Sequence, residues 1–302
     1  MADAVLLTGA TGFVGRAVLA MLLARGDQVI ATSRRPGAAQ RGLTWFAGDL
    51  LEASDRATIL RAGGRVGTLI HCAWDVTHGR FWDDPSNTLW RAASADLARR
   101  FLDQGGRRIL ALGSCAEYDW TAPGPWDENR PRRPVSAYGR AKHGLHGDLR
   151  AMAETAGATL IWARLFHLFG PGEDARRLVP SLIAALRAGQ PASVRAPGLI
   201  RDFASTGHVA ECLGALVDAP AAGGGGDGAV DIGSGAAQSL GALAETLGRL
   251  AGRPDLIRLG SGAADGGAEP PVMAPTLDRL HQRIGRRIEQ PEQALATLLR
   301  QS

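Results

Sequence analysis

Lysine is nearly absent from this 302-residue chain: of 34 basic residues, only Lys142 is not arginine. Tyrosine and asparagine are almost as scarce, represented by Tyr118 and Tyr138, and by Asn87 and Asn129. A chain that writes its positive charge as arginine bears the mark of a nucleotide bias. A residue that escapes the bias can mark a place where arginine would not serve; chance survival is the alternative. Lysine is a compact charge on a flexible stem, whereas arginine holds its proton tightly and carries a broad planar head. Cysteine is sparse too. Cys72, Cys115 and Cys212 form an odd, widely spaced set, which argues against a disulfide framework and against a metal site. No apolar run approaches the roughly 18 residues that cross a bilayer. Met1-Ala2-Asp3 leads into the first apolar stretch without a basic flank. A cytoplasmic protein with no membrane partner is therefore expected. The net charge of +4 comes from scattered residues. It suits anionic small molecules at least as well as nucleic acid and decides neither alone.

What is present is an alternation of strands and helices. Ala4–Leu7, Gln28–Thr32, Leu43–Phe46, Thr68–Cys72, Ile109–Leu112 and Thr159–Ala163 read as strands. Helical patterns fall at Phe13–Arg25, Thr88–Leu102 and Ser136–Ala156. Such alternation predicts an α/β fold with a doubly wound parallel sheet and ligands at the carboxyl ends of its strands. After residue 165 the alternation lapses. Helices are expected at Leu178–Ala188, Ser239–Gly252 and Pro291–Gln301, with a glycine-rich loop at Ala221–Gly228. The expected organisation is a dinucleotide-binding Rossmann domain over 1–168, with a return segment at 204–234. A smaller substrate-binding lobe would be formed by 169–203 and 235–302.

The first strand runs into Thr8-Gly9-Ala10-Thr11-Gly12-Phe13-Val14-Gly15, which opens the first helix. Glycines spaced in this way permit a tight turn and close approach of backbone to a pyrophosphate at the helix N-terminus. Plain turn chemistry is the alternative in a chain with 40 glycines, but the strand-to-helix context disfavours it. At the end of the second strand an NAD site usually carries an acid. This chain reads Thr32-Ser33-Arg34-Arg35 instead. The two arginines can clamp a 2′-phosphate while Ser33 hydrogen-bonds it, so NADP is favoured and NAD remains possible. A solvated arginine pair is the alternative. Asp49, after the third strand, can accept a hydrogen bond from the adenine amino group.

Tyr138-Gly139-Arg140-Ala141-Lys142 sets a tyrosine and the single lysine four residues apart, on one face of a helix. A tyrosine with a pKa near 10 is a poor base at neutral pH. A neighbouring ammonium and a cationic nicotinamide ring would lower that value and let Tyr138 exchange a proton with an alcohol or carbonyl.

With these motifs the chain resembles the NAD-dependent epimerase/dehydratase family of extended short-chain dehydrogenases over nearly its whole length. The resemblance assigns the catalytic hydroxyl to Ser114, in Gly113-Ser114-Cys115-Ala116-Glu117-Tyr118, acting with Tyr138 and Lys142. It makes Tyr118 largely structural and gives Asn87 a structural and proton-relay place. It adds Phe13, Val14, Leu50, Cys72, Ala73 and Phe166 to the cofactor residues. It assigns Glu117, His167, Leu178 and Arg201 to the substrate.

Three segments imply a nucleotide-sugar substrate. Arg164 to Pro171 is similar to the family's R-x-x-N-x-Y-G-P turn. Arg201-Asp202-Phe203 is similar to the segment whose arginine meets a diphosphate, a surface pair being the alternative. Asp231-Ile232-Gly233-Ser234-Gly235 is similar to its N-I-G-S-G turn. Two departures matter. His167 stands where the family has asparagine, and it can alter a substrate contact or simply pack. Cys115 and Ala116 replace the acidic pair with which the sugar 4,6-dehydratases eliminate water, so dehydration is not expected.

The expected function is NADPH-dependent reduction of a nucleoside-diphosphate 4-keto-6-deoxy sugar. An NAD-dependent nucleotide-sugar 4-epimerase is the alternative, and an NADP-binding sensor without catalysis is the reading from another class. A further variant would epimerise beside the carbonyl using Cys115 or His167, although neither matches the position used by the family's epimerase-reductases. Trp74, Phe81, Trp82 and Trp120 lie near the expected pocket and are assigned no role. The expected partners are the nucleotide sugar and a second copy of the chain in a homodimer, with no nucleic acid.

Overall fold

The structure is a computed structural model that describes residues 4–62, 66–122, 124–220, 228–262 and 269–301. Strands β1 (Ala4–Thr8), β2 (Val29–Ser33), β3 (Leu43–Ala47), β4 (Val66–His71), β5 (Arg108–Ser114) and β6 (Thr159–Leu165) lie in one sheet. Helices α1 (Gly15–Ala24), α2 (Ala53–Ala62), α3 (Ser86–Asp103) and α4 (Ala137–Ala156) connect them. Three short strands, β7 (His167–Phe169), β8 (Ala192–Val194) and β9 (Ile200–Arg201), alternate with α5 (Leu178–Arg187). Then come β10 (Phe203–Ser205), α6 (Thr206–Asp218) and β11 (Ala229–Ile232). The chain ends with β12 (Gln238–Ser239), α7 (Leu240–Leu250), β13 (Ile257–Leu259), β14 (Val272–Met273), α8 (Asp278–Ile284) and α9 (Pro291–Gln301).

The main sheet has seven strands in the order β11-β6-β5-β4-β1-β2-β3, and every pair is parallel. Strands such as β5 are apolar runs rather than alternating ones because helices cover both faces; Ile109 to Leu112 are all buried. One face packs on α1 and α6 through Val18, Leu22, Val209 and Leu213. The other packs on α2, α3 and α4 through Ile59, Leu97, Phe101, Leu145 and Leu149. The strand order reverses between β1 and β4, which sets a crevice at their carboxyl ends.

Several boundaries moved. Helix α1 starts at Gly15, not Phe13, because residues 11–14 are spent on the turn. Strand β4 ends at His71, which leaves Cys72 in the loop above the sheet. Helix α2 was not expected; its sequence mixes polar and apolar residues with little amphipathic signal. The segment read as a return, 204–234, holds helix α6 and strand β11, and α6 is opened by Ser205, whose Oγ accepts from His208 N at 3.1 Å. The expected glycine loop lies, except for Gly228, outside the described residues.

A separate apolar cluster joins α5, α7 and α9 through Leu182, Leu186, Leu243, Leu247 and Leu295. Beside it β9 pairs with β12 and β14, and β7 pairs with β10, His167 opposite Phe203. Cys72, Cys115 and Cys212 are all free thiols. Among the described residues no helix is long and apolar enough to cross a membrane.

Candidate active site

The glycine turn sits in the crevice. Gly9 has φ +68°, and a side-chain carbon there would lie 2.7 Å from the backbone nitrogen of Ala73. Only glycine lets this turn close against the end of β4 and leave backbone N–H groups facing an incoming phosphate. Thr11 Oγ1 and Ser33 Oγ are 2.9 Å apart, tying the turn to the end of β2. Ser33 Oγ also accepts from Arg35 N at 3.0 Å. Arg34 and Arg35 are exposed and have no ion-pair partner among the described residues. Asp49 is half-buried at the end of β3, where Oδ1 accepts from Leu51 N at 3.0 Å, and Leu50 is buried. Cys72 and Ala73 border the turn, while Phe166 packs with Tyr118 and Trp126. These residues fit a dinucleotide: the glycine cradle would be filled by any side chain.

Ser136 caps α4, its Oγ accepting from Gly139 N at 3.0 Å. The residues Tyr138, Lys142, Leu145 and Leu149 follow at helical spacing on its buried face. Gly139 lets this helix meet the loop after β5, since a side-chain carbon on it would fall 2.3 Å from the carbonyl oxygen of Ala116. Ser114 ends β5, in the turn against which Gly139 lets α4 pack, and its hydroxyl is near enough to act on that of Tyr138. Burial raises the Tyr138 hydroxyl above its ordinary range, and the contacts with Ser114 and Arg177 oppose that rise.

Lys142 is 4% exposed and donates to the carbonyl oxygen of Leu112 at 2.9 Å. Its Nζ also lies 3.8 Å from the ring centre of Trp74. Burial brings this ammonium down to about 7. Lys142 Nζ lies 5.9 Å from the ring centre of Tyr138. Lys142 is directed at the Leu112 carbonyl and the Trp74 face, and burial governs the phenol.

An aromatic shell encloses the tyrosine. Phe81 stands edge-on to it at 4.9 Å, with Trp82 at 6.0 Å and Trp74 at 6.3 Å. Trp74 Nε1 donates to Asn87 Oδ1 at 2.9 Å, and Asn87 Nδ2 donates to the carbonyl oxygens of Phe81 and Asp84. Asn87 thus fixes this shell, and its scarcity was the signal available for it. The density of tryptophan between residues 74 and 90 was the corresponding signal for the shell.

Behind Ser114 lies a buried polar network. Glu117 is fully buried; its carboxylate accepts from Ser114 N at 2.8 Å, Trp162 Nε1 at 3.0 Å and Arg164 Nε at 3.0 Å. The structure therefore gives Glu117 the role of holding the Ser114 turn, with no free oxygen facing a ligand. Tyr118 donates to Asp231 at 2.8 Å, and Asp231 N donates to Glu128 Oε1 at 3.0 Å. Burial and the nearby Glu128 raise the Asp231 carboxyl to about 8. Glu117, His143 and His146 place ligand atoms within 4.8 Å of one another. The Glu117 oxygens already serve Arg164 and Trp162.

On the substrate side, His167 lies on β7 and its Nε2 is shut from solvent without a hydrogen-bond partner. Burial, then Arg201 and Arg177, bring its imidazole down to about 3, so it is neutral. Cys115 is buried, and burial pushes its thiol up to about 12, which makes it a poor base. Leu178 opens α5. Arg201 is 2% exposed, with Nη2 at 2.7 Å from Glu269 Oε2 and Nη1 donating to the carbonyl oxygens of Ile200 and Pro270. The alternative of a pair with Asp202 is not what forms. Asp202 accepts from Ser234 N at 2.6 Å and Gly235 N at 2.9 Å. Arg177, which the sequence reading passed over, is the half-buried residue before α5.

Known proteins resemble this chain in sequence and in fold. A dTDP-6-deoxy-L-talose 4-dehydrogenase (NAD(+)) of Aggregatibacter actinomycetemcomitans is 29% identical over 173 residues, covering 55% of this chain and 62% of the relative. A UDP-glucose 4-epimerase of Vibrio cholerae is 26% identical over 185 residues, covering 58% and 55%. The matched stretch is thus less than two-thirds of either relative. The solved structure of MoeE5 in complex with UDP-glucuronic acid and NAD superposes with a TM-score of 0.79 at 25% identity, covering 99% of this chain and 98% of that one. The sequence profile of the NAD dependent epimerase/dehydratase family matches residues 5–233, and the chain belongs to that family.

Proposed function

We propose that the protein is an NADPH-dependent reductase of a nucleoside-diphosphate 4-keto-6-deoxy sugar. The observation that carries this reading is that Tyr138 and Lys142 share the buried face of α4, which Gly139 packs against the turn after β5 that begins with Ser114. A nicotinamide dinucleotide held in that turn would supply the hydride. Ser114 donates a hydrogen bond to the sugar carbonyl and orients it. Tyr138 gives the proton that completes the alcohol, and Lys142 holds the ribose and assists proton return. The aromatic shell of Trp74, Phe81 and Trp82 excludes water from the reacting atoms. Each turnover converts one ketone, one NADPH and one proton into one alcohol and one NADP⁺.

Two features support reduction over the other chemistries of the family. Arg34 and Arg35 are exposed and unpaired among the described residues at the end of β2, as a 2′-phosphate clamp requires. Cys115 and Ala116 carry no carboxylate with which to eliminate water. The relative that acts on dTDP-6-deoxy-L-talose supports a 6-deoxy sugar. The likeness to the UDP-glucose 4-epimerase favours, as second reading, a 4-epimerase that retains NAD. Deuterium tracing separates them. With NADPH deuterated at the transferred position, the reductase places one deuterium on the sugar carbon that bore the carbonyl. An epimerase instead interconverts nucleotide hexoses without net consumption of NADPH.

A further inference from the structure

We propose that Arg16 is a positioning residue for the dinucleotide: it orients the peptide groups of the glycine turn, and the turn between β7 and α5 keeps it in place. The role rests on the dinucleotide part of the reading above and concerns how the chain itself shapes that site.

Arg16 breaks a rule of helix construction. It is exposed in the first turn of α1, which holds no acidic residue, and Val14 at the N-cap supplies no side-chain hydrogen bond. A cation at this end opposes the helix dipole. No carboxylate pairs with it among the described residues. A local cost of this kind is expected where a residue serves a site rather than its helix.

The guanidinium is spent on the glycine turn. Nε donates to the carbonyl oxygen of Gly12 at 3.2 Å, and Nη2 donates to that of Thr11 at 3.2 Å. In a trans peptide the carbonyl and the following N–H point in opposite directions. Holding the Thr11 carbonyl therefore turns Gly12 N–H toward Gly9 O, which it reaches at 2.9 Å. Holding the Gly12 carbonyl turns Phe13 N–H away from Arg16, and Phe13 N has no backbone acceptor among the described residues. That N–H, at the opening of α1, is left for a phosphate. Arg16 thus acts through the turn, without touching the ligand.

The remaining nitrogen meets the turn between β7 and α5. A side-chain carbon on Gly172 would run into Arg16 Nη1, and Gly172 has φ +75°. Glycine is what lets this turn lie against the guanidinium. Gly172→Ala would push the head of Arg16 off the two carbonyls.

The test is titration of NADPH and NADH into the parent protein, Arg16→Met, Arg16→Lys, Gly172→Ala and the double variant Arg16→Met with Gly172→Ala, with the melting temperature of each unliganded protein. For the dinucleotide that the parent holds more tightly, we expect Arg16→Met to weaken binding about tenfold. Its unliganded form should melt no lower than the parent, because the helix start has lost an unfavourable charge. Gly172→Ala should weaken binding about threefold in the parent and leave it nearly unchanged in Arg16→Met, since its effect runs through Arg16. Parent affinity in Arg16→Met would overturn the role. So would parent affinity in Arg16→Lys, because charge alone would then suffice. A melting point that falls in step with affinity would reduce Arg16 to a support of the fold. An equal loss from Gly172→Ala in both backgrounds would overturn the link to the turn before α5. If the parent binds neither dinucleotide, the cofactor reading itself falls and takes this role with it.

Discussion

The carbonyl oxygen of Ala116 occupies the place where a side-chain carbon on Gly139 would have to go, 2.3 Å away. That contact lets α4 descend onto the turn after β5, and so brings Tyr138 to Ser114. Gly139→Ala should therefore separate the hydroxyls of Tyr138 and Ser114 and cost about 1–3 kcal/mol of stability by overpacking. Gly147, two turns along the same helix, has open space around it. Gly147→Ala should stabilise by about 0.4–1 kcal/mol. Urea unfolding of both variants, with turnover measured in parallel, tests the relationship. Equal behaviour at the two positions would refute it.

Tyr138 is assigned the proton and Lys142 a place that arginine cannot take. Tyr138→Phe should lower turnover by roughly 10²–10⁴-fold while leaving dinucleotide affinity intact. Retained turnover would remove Tyr138 from the chemistry. Lys142→Arg should be about as impaired as Lys142→Met, because the ammonium fits between the Leu112 carbonyl and the Trp74 ring and a guanidinium does not. Rescue by arginine in steady-state assays would show that charge alone matters there.

Asp231 predicts a pH effect of definite sign. Its carboxyl is raised to about 8 in the fold, against an ordinary value of about 3.9. The folded protein therefore keeps a proton that the unfolded chain has released between these values. The associated stability is complete below about pH 4 and is lost as pH rises through about 8. Asp231→Asn removes this titration and keeps an oxygen to accept from Tyr118. Compared with the parent, it should melt higher at pH 8–9 and show a much smaller difference near pH 4. An equal shift at both pH values would contradict the burial argument.

Arg34 and Arg35 set the cofactor expectation. Replacing both with alanine should lower kcat/KM for NADPH roughly 10–100-fold, the worth of one or two charge-assisted hydrogen bonds. The value for NADH should stay within a factor of about three. A parallel loss for both cofactors would show that the pair contributes to folding rather than to recognition of a 2′-phosphate.

The parallel sheet was legible because a strand covered on both faces is a continuous apolar run, as in Ile109–Leu112. The glycine turn and the pairing of Tyr138 with Lys142 were legible because their chemistry needs fixed local spacing. Helix α2 was not, since its polar and apolar residues alternate without a clear buried stripe. The sequence also hid the commitment of Arg201, whose partner Glu269 lies 68 residues away along the chain. Glu117 was expected at the substrate from the family resemblance, whereas its oxygens are taken up inside the fold. Its partners Trp162 and Arg164 come from β6, and only the sheet brings them to it.

The most direct test of the account is the stoichiometry of NADPH oxidation by the protein with a dTDP- or UDP-linked 4-keto-6-deoxyhexose, with the product identified. The account predicts one NADPH consumed for each ketone, yielding the 4-hydroxy-6-deoxy sugar and no reaction in Tyr138→Phe. An unchanged NADPH signal, together with interconversion of ordinary nucleotide hexoses by the protein carrying bound NAD, would contradict it.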